Sequence, residues 1–254
     1  MKTIFHNFDD TKTAFINPSD FTQPKADFPE VCLTTFSEKI IQKIAELDTV
    51  KETAQLYTAN GTVPIYEIEY AGKRVGFFVS RVGAPACVAA LEEVIALGAK
   101  KIVLFGSCGV LDQAIVQDKI IIPVSAVRDE GTSYHYIPAS EEIKADKHSV
   151  AVLKQCLKES GLPYVAGKTW TTDAIYRETH KIIEERKRQG CLVVEMECSA
   201  VYAFARFRNI PLIQFLYGAD NLDSDKWEIN DLMEHGITNC DKYVKLAFEC
   251  ASHL

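Results

Sequence analysis

Two carboxylates one residue apart, Glu195-Met196-Glu197, close the β-branched run Cys191-Leu-Val-Val. A helix of small residues, Cys198-Ser-Ala-Val-Tyr-Ala-Phe-Ala205, follows at once. Downstream, a second apolar run, Ile210-Pro-Leu-Ile-Gln-Phe-Leu-Tyr217, ends in Gly218-Ala219-Asp220. Both runs deliver acids at the carboxyl end of a strand, the edge where open α/β sheets bind ligands. Carboxylates placed there accept hydrogen bonds from sugar hydroxyls and carry protons to and from a base. A plainer reading of Glu197 is an acid at a helix start, where free N–H groups and the positive dipole end favour negative charge. Asp220, placed the same way after another strand, tips the pair toward function.

Three turns have the composition of an anion site. In Phe105-Gly106-Ser107-Cys108-Gly109 the glycines would let backbone N–H groups approach an anion, and Ser107 adds a donor. Ser80-Arg81-Val82-Gly83-Ala84-Pro85 enters a helix N-terminus with a cation beside it. Thr34-Thr35-Phe36-Ser37-Glu38-Lys39 again combines hydroxyls with a cation. Each alone reads as an ordinary strand-to-helix turn, and together they point to phosphate. There is no Walker loop and no Gly-x-Gly-x-x-Gly, which disfavours nucleoside triphosphates and dinucleotides.

These residues sit in a chain of 254 residues, 47% of them apolar, with a net charge of −7. The acidic balance argues against a nucleic-acid partner, which would need basic patches. No apolar run reaches the roughly 18 residues of a membrane span, and the amino terminus lacks a secretory core, so a cytoplasmic protein is expected. The eight cysteines form no Cys-x-x-Cys and no zinc spacing, so neither a metal nor a disulfide framework is expected.

The positioning elements alternate. Residues 1–29, with Pro18, Pro24 and Pro29, read as an irregular arm. Residues 31–35 read as a strand and 37–47 as a helix capped by Ser37. Residues 63–70 and 74–80 form a hairpin turned at Ala71-Gly72. A helix of small residues from Pro85 ends at Gly98, where a left-handed cap is wanted. Strands follow at 101–106, 119–127, 164–170, 191–195 and 210–217, with helices at 145–160, 178–189, 198 onward and 231–250. Such alternation predicts one α/β domain over 1–254, a mostly parallel or mixed sheet with helices on both faces.

The order of motifs resembles the nucleoside phosphorylase-I family, which includes purine nucleoside phosphorylases, uridine phosphorylases and nucleosidases. Gly83-x-Pro85, Gly106-Ser107-Cys108-Gly109, Val194-Glu195-Met196-Glu197 and Asp220 carry the resemblance, across roughly residues 27–250. Arg128-Asp-Glu-Gly131-Thr-Ser-Tyr-His135-Tyr-x-Pro138 is similar to uridine phosphorylases. The resemblance implies a three-layer α/β/α fold around a mixed, partly barrel-like sheet. It implies cleavage of an N-glycosidic bond through an oxocarbenium-like transition state, with inorganic phosphate as co-substrate and no other cofactor. By motif, Glu195, Met196 and Glu197 would bind ribose, and Glu197 and Asp220 would be catalytic. Asp220 would protonate purine N7, with Trp170 and Tyr176 beside the base, although core packing is the plainer reading of Trp170. Thr35, Lys39, Arg81, Gly83 and Ser107 would hold phosphate. Homo-oligomers, dimers or hexamers built of dimers, would follow, and His6 is the counterpart of a histidine borrowed across a dimer, if it is more than a surface residue of the arm.

The chain departs from the family in informative places. The phosphate arginine expected before the Gly-Ser-Cys-Gly segment is Leu104, and the one expected near position 39 is Lys39, a point charge without a bidentate fork. Arg81 is the candidate replacement. Ala219 stands where a serine usually precedes the aspartate. Asp220 favours purines, whereas the 128–138 segment leans toward uridine. The readings left open are a purine nucleoside phosphorylase, first, then a uridine phosphorylase, a nucleosidase using water, and a non-catalytic nucleoside-binding protein.

Overall fold

The computed structural model describes residues 4–254. In chain order the elements are α1 (Pro18–Phe21), β1 (Val31–Thr35), α2 (Glu38–Ala45), β2 (Lys51–Thr58), β3 (Gly61–Tyr70), β4 (Lys73–Val79), α3 (Ala84–Leu97) and β5 (Lys101–Val110). There follow α4 (Gln113–Val116), β6 (Ile120–Asp129), β7 (Glu142–Lys144), α5 (Lys147–Glu159), β8 (Tyr164–Thr172), α6 (His180–Arg188), β9 (Cys191–Glu195), α7 (Cys198–Arg208), β10 (Leu212–Asn221) and α8 (Cys240–His253).

The strands join one sheet in the order β10-β6-β8-β9-β5-β1-β4-β3-β2, and β10 also pairs with β5. That extra pairing closes β5, β9, β8, β6 and β10 into a ring, while β1 to β4 run on as an open wing. The expected mixed, partly barrel-like sheet is therefore present. β1, β4, β5 and β10 run parallel, so Thr35, Val79, Ser107 and Asp220 all approach the same edge.

Two cores flank the sheet because successive strand residues face opposite sides. Phe78, Ile102 and Leu104 pack with α3 and α7 through Val88, Leu91, Val201 and Phe204. Phe77, Val103 and Phe105 pack with α2, α5 and α8 through Ile40, Leu153, Leu246 and Phe248. Phe105 stacks on Phe215 at 5.2 Å between ring centres. Burial of each such side chain stabilises by about 2–3 kcal/mol, which fixes the relative heights of the strands that carry the acids.

Local signals account for most helix ends. Ser37 accepts the Ile40 N–H, and Gly98 closes α3 at φ 136°. Three elements differ from the sequence expectation. The Gly106-Ser107-Cys108-Gly109 segment is not a turn: it continues β5, because β10 pairs with it on one side and β9 on the other at Gly109. The strand bearing Asp220 likewise runs on to Asn221. The last helix begins at Cys240, preceded by short 3-10 turns at Leu232–Glu234 and Ile237–Asn239. The polar strand β2 and the short β7 also exceed the expectation; β2 buries only Leu56, so it shows no alternation to read.

The arm is irregular apart from α1 and a 3-10 turn at Ile4–His6. Phe5 lies 4.7 Å from the Tyr134 ring, which brings the His6 turn beside the Thr132–His135 turn of the same chain.

Candidate active site

Glu195 ends β9 fully inside the protein, and its neighbours use both oxygens. One accepts the Thr171 and Thr169 hydroxyls at 2.7 and 3.3 Å. The other accepts the Glu197 and Cys198 amides at 2.7 and 2.6 Å, satisfying the free donors at the start of α7. Glu195 thus corrects the expectation of a ribose contact: it positions the turn that aims Glu197. Burial pushes its carboxyl up to about 7, against the four hydrogen bonds that favour the anion.

Glu197 is also buried, and one oxygen accepts the Gly83 N–H at 2.5 Å. Burial, then the neighbouring Glu195, push its carboxyl up to about 8. Gly83 has φ 100°, a conformation that favours glycine, and its amide is committed to Glu197, not left for an anion as expected. Met196, between the two acids, is half-buried.

Asp220 reaches the site through a β-bulge. The β10–β5 register shifts between Gly218 and Asp220, leaving Ala219 unpaired, and such a bulge re-aims the side chain beyond it. A Cβ on Gly109 would sit 3.4 Å from Asp220 Oδ1, so this glycine leaves the room the carboxylate occupies. The other oxygen accepts the Trp227 indole N–H at 2.7 Å. Burial holds the Asp220 carboxyl above its ordinary range, while the Trp227 bond works in the opposite direction. Glu178 is a half-buried acid that feels Asp220; burial and that negative charge push its carboxyl up to about 7.

The anion turns converge in part. The Ser80 N–H donates to the Thr35 carbonyl at 2.8 Å, so the ends of β1 and β4 are adjacent. Thr35 Oγ1 and Arg81 Nε are both buried without a hydrogen-bond partner among the described residues. Ser107 lies half-buried in β5, opposite Tyr217 of β10. Lys39 is exposed in the first turn of α2, whose isoleucines face the core. Leu104, at the position of the missing arginine, is wholly core.

Two base candidates are corrected or left open to solvent. Trp170 is 1% exposed, packs with Val127 and Val194, and donates its indole N–H to Asp129 at 3.0 Å, so its ring is core. Tyr176 is 95% exposed on the 3-10 turn Ile175–Arg177, and forms no wall within one chain. The 128–138 segment is held from within: Arg128 donates to Ser133, Pro138 and Ser140 and stacks on Tyr134.

The phosphorylase superfamily model matches residues 30–250. The chain belongs to the phosphorylase superfamily. It is 25% identical over 186 residues to a DeoD-type purine nucleoside phosphorylase of Bacillus cereus, covering 72% of this chain and 77% of that one. A guanosine phosphorylase of Halorubrum lacusprofundi is 22% identical over 186 residues, covering 73% and 76%. An uncharacterized protein of Acanthamoeba polyphaga mimivirus is 33% identical over 155 residues, and the match spans 60% of each chain. Purine nucleoside phosphorylase of Toxoplasma gondii, solved with immucillin-H, superposes with a TM-score of 0.76 at 21% identity over 91% of this chain and 95% of that one. Uridine phosphorylase of Vibrio fischeri gives 0.77 at 22% identity over 93% and 99%. These structures share the fold.

In this superfamily member, Trp227 and Glu178 both act on Asp220, and the sequence alone does not single them out. A lone tryptophan in the polar segment 221–230 is the available signal for Trp227. A ligand bound at Asp220 would change the surroundings of the Trp227 indole, so binding there is expected to change the intrinsic fluorescence. Trp227→Phe should abolish that change, because Trp170 is sealed in the core; a signal that survives the substitution would show that Trp227 does not sense the site.

The raised acids also set the pH dependence of stability. The unfolded chain releases the Glu197 proton near 4.5, whereas the folded protein holds it to about 8. Stability from this proton is full below the lower value and falls as pH rises through the higher one. Melting temperature should therefore drop between pH 5 and pH 8 more steeply in the wild type than in Glu197→Gln. Equal slopes would remove the buried-acid assignment.

Proposed function

We propose that this chain is a nucleoside phosphorylase that prefers purine nucleosides and gives free base and ribose 1-phosphate. The observation that carries the reading is that Gly109 of β5 pairs with the bulge-aimed Asp220 on one side and, on the other, with Val194, three residues before the buried Glu197. Glu197 accepts the ribose hydroxyls as a carboxylate and, with the phosphate anion, stabilises positive charge developing on the sugar. Met196 packs against the sugar. Asp220 gives its proton to purine N7 as the base leaves, and the bond electrons go to the base.

Phosphate is held by Thr35, Arg81 and Ser107, with Lys39 contributing charge from α2. Support comes from the unpartnered Thr35 Oγ1 and Arg81 Nε, donors that an anion would satisfy. No other cofactor is required by this chemistry. Tyr176, wholly exposed beside the site, fits a homo-oligomer in which a second subunit covers it. All eight cysteines are free and buried, as suits a reducing cytoplasm.

The competing reading is hydrolysis by water, and the core position of Leu104 is what favours it. Substrate class is tested by steady-state rates on inosine, adenosine, guanosine and uridine in phosphate buffer. Purines turned over well ahead of uridine support the Asp220 role; a preference for uridine would overturn it.

A further inference from the structure

A cleft of about 550 Å³ opens where α5 begins, α7 ends and β10 starts. It lies at Leu212, the opposite end of β10 from Asp220, and so about 25 Å from that acid along the strand. Lys144, Lys147, His148 and Arg206 line it, against a single acid, Asp146. Asp146 is already engaged, accepting the Ser149 N–H at 2.8 Å as the cap of α5. Arg206 is anchored, donating to the Lys144 carbonyl at 2.9 Å. In a chain of net charge −7, four basic side chains around one cleft stand against the overall balance. The inner wall is apolar, formed by Ala145, Ile210, Pro211 and Leu212, with the face of Tyr202, whose hydroxyl donates to the Pro123 carbonyl at 2.6 Å.

A narrow recess of about 10 Å³ shares Ala145, Tyr202 and Leu212 with this cleft. Ser149 and Gln214 line the recess, and both are at most 3% exposed. Ser149 Oγ and both amide atoms of Gln214 have no hydrogen-bond partner among the described residues. Buried polar atoms without partners are costly, and the recess has room for a single ligand atom or water to meet them.

We propose that this cleft is a second binding site, distinct from the nucleoside site, for a phosphate monoester carrying a planar or apolar group, of the chemical class of a nucleoside monophosphate. The basic mouth takes the phosphate, through Lys144, Lys147 and Arg206. The apolar wall takes the remainder, and the cleft is large enough for both, within the range of small-molecule sites. Neutral nucleosides, which lack the anion, are left to the Glu197 site.

The test is calorimetric titration of the full chain with adenosine 5′-monophosphate and inosine 5′-monophosphate, beside adenosine and inorganic phosphate. The wild type should bind a monophosphate at sub-millimolar concentration, more tightly than inorganic phosphate. Lys147→Glu combined with Arg206→Glu should weaken binding about a hundredfold, on the order of tenfold for each charge-assisted hydrogen bond removed, and leave nucleoside turnover unchanged. Glu197→Gln should leave monophosphate affinity unchanged. The proposal is overturned by affinity that survives the double charge reversal, by affinity that disappears with Glu197→Gln, by inorganic phosphate binding as tightly as the monophosphate, or by no binding at millimolar concentration.

Discussion

Glu197→Gln is expected to lower kcat/KM for a purine nucleoside by about a thousandfold, on the order of 4 kcal/mol of transition-state stabilisation. Glutamine keeps the volume and can still accept the Gly83 N–H, so the loss isolates the negative charge. That charge opposes the positive charge developing on the sugar and is held in a buried setting, where an electrostatic interaction is worth more than in water. The same residue gives one limb of the pH profile. Because burial and Glu195 push the Glu197 carboxyl up to about 8, the free protein holds it protonated at neutral pH. A carboxylic acid accepts hydroxyl hydrogen bonds poorly, so nucleoside binding near neutrality should release a proton. Glu197 therefore gives kcat/KM a limb that rises with pH toward 8, and Asp220, which must keep its proton to donate it, gives an opposing limb that falls, since this pH dependence reports the free enzyme. A variant within tenfold of wild type, or an acid limb unchanged in Glu197→Gln, would remove Glu197 from the reaction.

Asp220→Asn should leave nucleoside binding nearly intact and slow purine release by about a hundredfold, the lower end for a positioned acid. Asparagine still accepts the Trp227 N–H and still fits above Gly109, so the bulge geometry should persist. The expected split is a fall in kcat with KM little changed, the pattern of an interaction made in the transition state. A purine nucleoside already methylated at N7 provides the control. Its base leaves without a proton, so wild type and Asp220→Asn should cleave it at rates within a few fold of each other. If both substrates slow equally, Asp220 shapes the site without serving as its acid.

The site's acids are more legible in the sequence than its donors. Glu197 and Asp220 are readable as candidates because each closes an apolar run; Glu197 follows β9 as expected, whereas Asp220 lies within β10, which runs on to Asn221. Glu195 misleads because adjacent acids look alike in sequence; the difference lies in Thr169 and Thr171, brought over by β8 from elsewhere in the chain. Gly83 reads as an anion donor for the same reason, since its acceptor, Glu197, is distant in sequence. The Gly106–Gly109 segment reads as a turn because glycine usually marks one, yet here two neighbouring strands supply the pairing that local propensity does not. Gly106 and Gly109 serve close packing instead: a Cβ on Gly106 would meet Phe36 at 2.7 Å, and one on Gly109 would meet Leu222 at 2.6 Å. The layers and the closed ring follow from alternation and from the family resemblance together. Strand β2 escapes because its polar, exposed residues carry no period.

Phosphorus NMR of the protein with inosine and inorganic phosphate tests the central claim most directly. Phosphorolysis predicts a ribose 1-phosphate resonance that grows as inorganic phosphate is consumed, one for one with hypoxanthine released. Hypoxanthine released while the phosphorus spectrum stays unchanged would mean that water is the nucleophile, and no hypoxanthine at all would mean that Glu197 and Asp220 bind a nucleoside without cleaving it.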